Sequence, residues 1–206
     1  SGTGSNLKSL IKFSKKKKSP ISIDLIISNN PKAKGLKLGK INKIKRKVYN
    51  FKRKYKVENQ ILSDLKEHKV KLICLAGFME ILSRNFIIKF KGKILNIHPS
   101  LLPKYKGLNT HQRALDNNEK YSGCTVHFVN SKLDSGKIIL QKKVKILKND
   151  TKNSLARKIL IQDGARPFTS NEIIKSCIKG LDNFDVVFPA IKIPDTLYVE
   201  VKENNQ

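Results

Sequence analysis

Residues 70–76 read VKLICLA, an apolar run of strand length broken only by Lys71. Such a run suits a strand buried on both faces of a parallel sheet. Residues 21–28 read as a second buried strand and 93–97 as a third, with a short strand at 47–51. Helical spacing appears between them, at 6–18, at 33–40 after Pro31, at 57–68 and at 83–90, where Ser83 suits an N-cap. The lysine run 15–18 would close the first of these helices, where cations suit the dipole. Strand and helix thus alternate through the first half, which predicts an α/β fold with a doubly wound, mostly parallel sheet. Beyond it, residues 101–109 read as a loop and 110–117 as a helix. Residues 123–129 and 137–144 alternate as antiparallel strands do, and 153–161 close with a helix.

The 206 residues allow one fair-sized domain, or one domain and a fragment. The net charge of +27 raises the question of a nucleic-acid partner. Almost all of that charge is lysine spread along the chain, while arginine, which reads bases and forks onto phosphates, is scarce. A solvated lysine-rich surface is the expectation, with neither nucleic acid nor membrane as partner. Cys74, Cys124 and Cys177 match no zinc or disulfide spacing and read as reduced core thiols of a cytoplasmic protein. No metal site is expected.

The chemistry concentrates after residue 93. In KILNIHPSLLP (93–103) a buried strand runs out into His98-Pro99. Ligands of open α/β sheets bind outside the carboxyl ends of the strands. Asn96 and His98 are two apart and share a face. An amide donor beside an imidazole serves acyl transfer, one polarising a carbonyl and the other moving a proton. A core histidine beside a turn asparagine would read the same way. Thr125 and His127 share a face of the next strand, and the turn at Asp134 offers a carboxylate within reach of His98, or a simple Asx turn.

Six segments, SGTGSN (1–6), LAGFMEILS (75–83), NIHPSLLPKYKG (96–107), THQRAL (110–115), GCTVHFV (123–129) and LDSGKIILQ (133–141), closely resemble the glycinamide ribonucleotide formyltransferases. The resemblance covers about residues 1–160 and implies a Rossmann-like formyltransferase fold. It implies formyl transfer from 10-formyltetrahydrofolate, as co-substrate, to the amine of glycinamide ribonucleotide in purine synthesis. Asn96 would stabilise the oxyanion, His98 shuttle the proton, and Asp134 orient His98 and an ordered water. Gly4, Ser5 and Asn6 match the loop that holds the substrate phosphate. Met79, Glu80, Ile81 and Leu82 match the segment whose backbone reads the pteridine, with Val129 closing the folate pocket. Thr125 and His127 would line the site. A basic residue of 52–54 matches one near the folate carboxylates. Lys106 and Asn109 depart from the family's usual residues.

Both ends depart further. The family's opening strand, central in its sheet, is absent before SGTGSN. Near residue 160 the family's helix should present a substrate-contacting Glu, but the sequence there keeps only Gln162, with Asp163 beside it. Residues 160–178 and 185–197 instead resemble the cytidylyltransferase of the methylerythritol phosphate pathway, where Asp163, Arg166 and Thr196 would hold a sugar phosphate. That enzyme's nucleotide loop is missing. The expected division is a catalytic domain over 1–160 and a cytidylyltransferase-like fragment over 161–206, with impaired activity or an inactive hybrid as its consequence. A formyltetrahydrofolate hydrolase and a methionyl-tRNA formyltransferase are the alternatives within the chemistry. Pro99 after His98 speaks against the first, and the N-terminal loop against the second.

Overall fold

The structure is a computed structural model that describes residues 4–17 and 19–165, with the backbone alone over 160–165. Its elements run α1 (Ser5–Ser14), β1 (Leu25–Ser28), α2 (Lys34–Ile41), β2 (Lys45–Val48), α3 (Lys54–Glu67), β3 (Leu72–Leu75), α4 (Arg84–Lys89), β4 (Lys93–His98), α5 (Thr110–Asp116), β5 (Tyr121–Phe128), β6 (Ile138–Lys145) and α6 (Lys152–Ala165). The α/β architecture expected from the alternation is present. The ladders β1–β2 and β3–β4 are parallel, and β4–β5 and β5–β6 are antiparallel.

The strands fall into two sheets, β1-β2 and β3-β4-β5-β6. Between them lies an apolar cavity of about 470 Å³, lined by all four residues of β1 and of β3 and by Gly4, Ser5 and Asn6. Cys74 opens onto this cavity rather than packing in the core. The protein around its thiol still pushes the pKa up to about 11. Cys124 is buried as expected.

Two apolar clusters hold the layers together. On α3, Val57, Ile61 and Leu65 repeat every fourth residue and pack with Phe86, Phe90 and Ile94. Burying each such side chain contributes roughly 1.5–3 kcal/mol. Leu155 and Ile159 of α6 pack on Cys124 and Val144 of the antiparallel half.

Several boundaries move. The first helix ends at Ser14 with Lys15 as its cap, so the lysine run follows the helix instead of closing it. The second strand is Lys45–Val48, and Phe51–Arg53 form a 3-10 turn that Asn50 caps. Ser83 caps α4 as expected, its hydroxyl accepting from the Phe86 N–H at 3.0 Å. Helix α6 passes residue 160 without interruption. The residues beyond 165, where the likeness to a cytidylyltransferase was expected, including Cys177 and Thr196, lie outside the described residues.

Among the described residues no helix is long and apolar enough to cross a membrane, and no cluster of His, Cys, Asp or Glu could hold a metal.

Candidate active site

Strand β4 delivers two of the polar residues and β5 supplies the facing pair. In the antiparallel register Asn96 lies opposite His127 and His98 opposite Thr125, so the four share one face. The turn between β5 and β6 then brings Asp134 over them. Gly136 permits that path, because a Cβ there would fall 1.7 Å from the Phe128 carbonyl oxygen. Asp134 itself sits at φ 43, a left-handed conformation that Asp tolerates better than most residues.

The Asp134 carboxylate is 9% exposed and touches all three neighbours. Oδ2 stands 3.4 Å from His98 Nδ1, and Oδ1 stands 3.6 Å from His127 Nε2. Asn96 Nδ2 donates to Oδ1 at 3.5 Å, and the Gly107 N–H donates to Oδ2 at 2.9 Å. The carboxylate that sequence reasoning brought toward His98 therefore reaches it.

Backbone carbonyls fix both imidazoles. His98 Nε2 lies 2.9 Å from the Tyr105 carbonyl oxygen, which can only accept, so Nε2 carries a hydrogen and Nδ1 faces Asp134. His127 Nδ1–H likewise donates to the Phe128 carbonyl at 2.8 Å. Its Nε2 then accepts from Asn96 Nδ2 at 3.3 Å. Burial holds the His127 pKa below the usual histidine value, with the charge of His98 acting the same way against the pull of Phe128 and Asp134. The lowered pKa favours the neutral ring, whose Nε2 is then the acceptor.

Thr125 stands behind the site rather than along it. It is fully buried, and its hydroxyl donates to the Ser100 carbonyl at 2.6 Å. The same oxygen accepts from the Leu102 N–H at 3.1 Å and from Gln141 Nε2 at 3.0 Å. It therefore pins the loop that follows β4.

The Tyr105 carbonyl and the Gly107 N–H had no sequence signal of their own, since backbone groups are common to every residue. Lys106, a departure from the family pattern, clips the same loop to the Asp134 turn, its Nζ donating to Ser135 Oγ at 2.6 Å. Asn109, the other departure, takes the left-handed N-cap position of α5 at φ 56.

The remaining candidates lie around the carboxyl ends of β1 and β3. Gly4, at φ 79, precedes α1 and leaves the helix's first N–H groups at the cavity rim, beside residues 76–78 and Leu82. Met79, Glu80 and Ile81 are exposed, while Leu82 and Val129 pack against the α3 core cluster. Glu80 accepts a long hydrogen bond, 3.5 Å, from Asn29 at the end of β1. Phe51 meets Phe78 edge-on at 5.4 Å, which sets the exposed Lys52 and Arg53 beside this segment. Gln162 lies in α6, with its side chain outside the described residues.

An α/β fold that gathers an amide and an imidazole at the end of β4 beneath a carboxylate from the β5–β6 turn suits an α/β enzyme of the formyl transferase class, and residues 1–166 match the family described as "Formyl transferase". The chain belongs to the phosphoribosylglycinamide formyltransferase family. It is 45% identical over 154 residues to the phosphoribosylglycinamide formyltransferase of Haemophilus influenzae, covering 73% of each chain. It is 42% identical over 166 residues to the human trifunctional purine biosynthetic protein adenosine-3, covering 79% of this chain and 16% of that protein. The chain thus spans about a sixth of the length of that trifunctional relative. The crystal structure of phosphoribosylglycinamide formyltransferase from Anaplasma phagocytophilum superposes with a TM-score of 0.75 at 42% identity, covering 80% of this chain and 78% of that one.

Proposed function

We propose that the chain transfers the formyl group of 10-formyltetrahydrofolate to the amine of glycinamide ribonucleotide, a step of purine synthesis. The observation that carries this reading is the buried Asp134 carboxylate held between His98, His127 and Asn96 at the end of β4. The relatives named above favour transfer to that amine over the hydrolase and tRNA readings.

In the proposed reaction the substrate amine attacks the formyl carbon, and a C–N bond forms. The carbonyl electrons move onto oxygen to give a tetrahedral intermediate. Asn96 is suited to that oxyanion, because both its N–H contacts, at 3.3 and 3.5 Å, are long and can turn to an incoming oxygen. The bond from carbon to folate N10 then breaks, and the amine's proton passes to that nitrogen. His98 is the proposed carrier. Its Nε2 is tied to Tyr105, so the proton is assigned to Nδ1, which faces Asp134; the carboxylate would stabilise the charged ring and orient a water.

The substrate phosphate is assigned to the backbone N–H groups of Gly4, Ser5 and Asn6 at the start of the ten-residue α1, where the helix dipole favours an anion. The pteridine is assigned to the backbone of Met79, Glu80, Ile81 and Leu82, with Val129 and the turn to Asp134 closing the pocket. A basic residue of 52–54 is assigned to the folate carboxylates, a reading supported by the Phe51–Phe78 contact that brings this segment beside residues 76–82. The catalytic domain is proposed to span residues 1–160, with the fragment 161–206 beyond it, although α6 crosses that boundary.

The test is formyl transfer from 10-formyltetrahydrofolate with and without glycinamide ribonucleotide. Formation of formylated ribonucleotide supports the reading. Release of formate at the same rate without the acceptor contradicts it.

A further inference from the structure

Glu58 is a carboxylate sealed in the core of α3, 2% exposed, among Val57, Ile61 and Leu65. No cation among the described residues pairs with it. A buried charge without a counter-ion is costly, so its hydrogen bonds must offset the desolvation.

Both of its oxygens serve one residue. Oε1 accepts from the Ser83 N–H at 2.7 Å, and Oε2 accepts from the Ser83 hydroxyl. The same Ser83 oxygen accepts the Phe86 N–H, and Phe86 is itself 2% exposed. Glu58, Ser83 and α4 therefore form one rigid junction.

The junction ends a segment that has little else to hold it. Residues 76–82 join β3 to Ser83 without regular secondary structure, and Met79 and Ile81 point into solvent. The side-chain packing at Phe78 and Leu82 restrains the segment. The register of its carboxyl end is fixed by the two bonds from Glu58 to Ser83, one residue beyond Leu82. A backbone that reads a ligand by hydrogen bonds must be held to a fraction of an ångström.

We infer that Glu58 is a positioning residue that sets the backbone of residues 79–82 for the folate co-substrate through Ser83. This rests on the folate assignment under the proposed function.

The test uses the full chain and titration calorimetry with two probes, tetrahydrofolate and glycinamide ribonucleotide. Glu58→Ala is expected to weaken tetrahydrofolate about tenfold, equivalent to about 1.4 kcal/mol, and to leave ribonucleotide within about twofold. Glu58→Gln keeps an acceptor for the Ser83 N–H and should recover tetrahydrofolate binding to within about threefold of wild type. Should Glu58→Ala not fold, Ser83→Ala is read in the same way, since it removes the hydroxyl bond and the helix cap but keeps the N–H bond. Equal weakening of both probes, or unchanged tetrahydrofolate binding, would overturn the positioning role and leave the functional reading standing. A wild-type chain that binds no tetrahydrofolate would overturn both.

Discussion

His98 and Asp134, thirty-six positions apart in the sequence, meet with Nδ1 3.4 Å from Oδ2, both side chains less than a tenth exposed. The carbonyl of Tyr105 occupies the other ring nitrogen, which leaves Asp134 facing the nitrogen proposed to exchange protons. Replacing the carboxylate by an amide keeps the shape and removes the charge. Asp134→Asn should therefore lower the single-turnover rate of formyl transfer by about 10²–10⁴-fold, the usual scale for acid–base catalysis, with the fold intact. A loss below tenfold in a folded variant would mean that Asp134 does not assist His98.

His127 makes stability depend on pH in a known direction. Burial depresses its folded pKa, so below the ordinary value of about 6.5 the unfolded chain takes up this proton first. Its contribution is present above that value and is lost as the pH falls through the interval beneath it. Urea unfolding at pH 7.5 and pH 5.5 should show a larger drop for wild type than for His127→Asn. Equal drops would place His127 in a solvated setting.

Thr125 offers a separation of architecture from chemistry. Thr125→Val keeps the volume but leaves the Ser100 carbonyl and the Leu102 N–H without their partner. Urea unfolding should show a loss of about 1–3 kcal/mol, the penalty for buried groups left unpaired. A neutral result would show that the loop after β4 is held by other means.

Away from the site, Asp64 accepts from Lys47 Nζ at 2.5 Å and from the Tyr49 hydroxyl. Burial, together with the Asp64 hydrogen bond and charge, pushes the Tyr49 pKa up to about 12. A raised folded pKa means that this contribution is complete below the ordinary tyrosine value and is lost as the pH rises through about 12. Tyr49→Phe should be less stable than wild type by about 1 kcal/mol at pH 8. The gap should narrow above pH 10, and a gap independent of pH would contradict the assignment.

The sequence made the frame legible where burial is two-sided or strictly alternating. VKLICLA, KILNIH and the 123–129 strand all appear within a few residues of their places, because apolar runs of that length suit little else. Strand β2 lies two to three residues before its expected place because KRKV carries three exposed or half-exposed cations and hides its strand character. Asn96, His98 and Asp134 could be named from their segments, but their meeting depends on the β4–β5 register and on the close backbone approach at Gly136. Thr125 looked like a site-lining residue because its face is right, yet the loop over it makes it a buried support. Glu58 was invisible, since a glutamate on a helix is ordinarily a solvated one and only the tertiary contact with Ser83 distinguishes it.

Asn96 and His98 stand at the centre of the account, and one assay reaches both. Formylated glycinamide ribonucleotide should accumulate with the wild-type chain and 10-formyltetrahydrofolate. With Asn96→Ala or His98→Ala, it should fall by about 10²-fold or more, while tetrahydrofolate binding stays within about threefold. Full transfer activity in either folded variant would contradict the proposed chemistry.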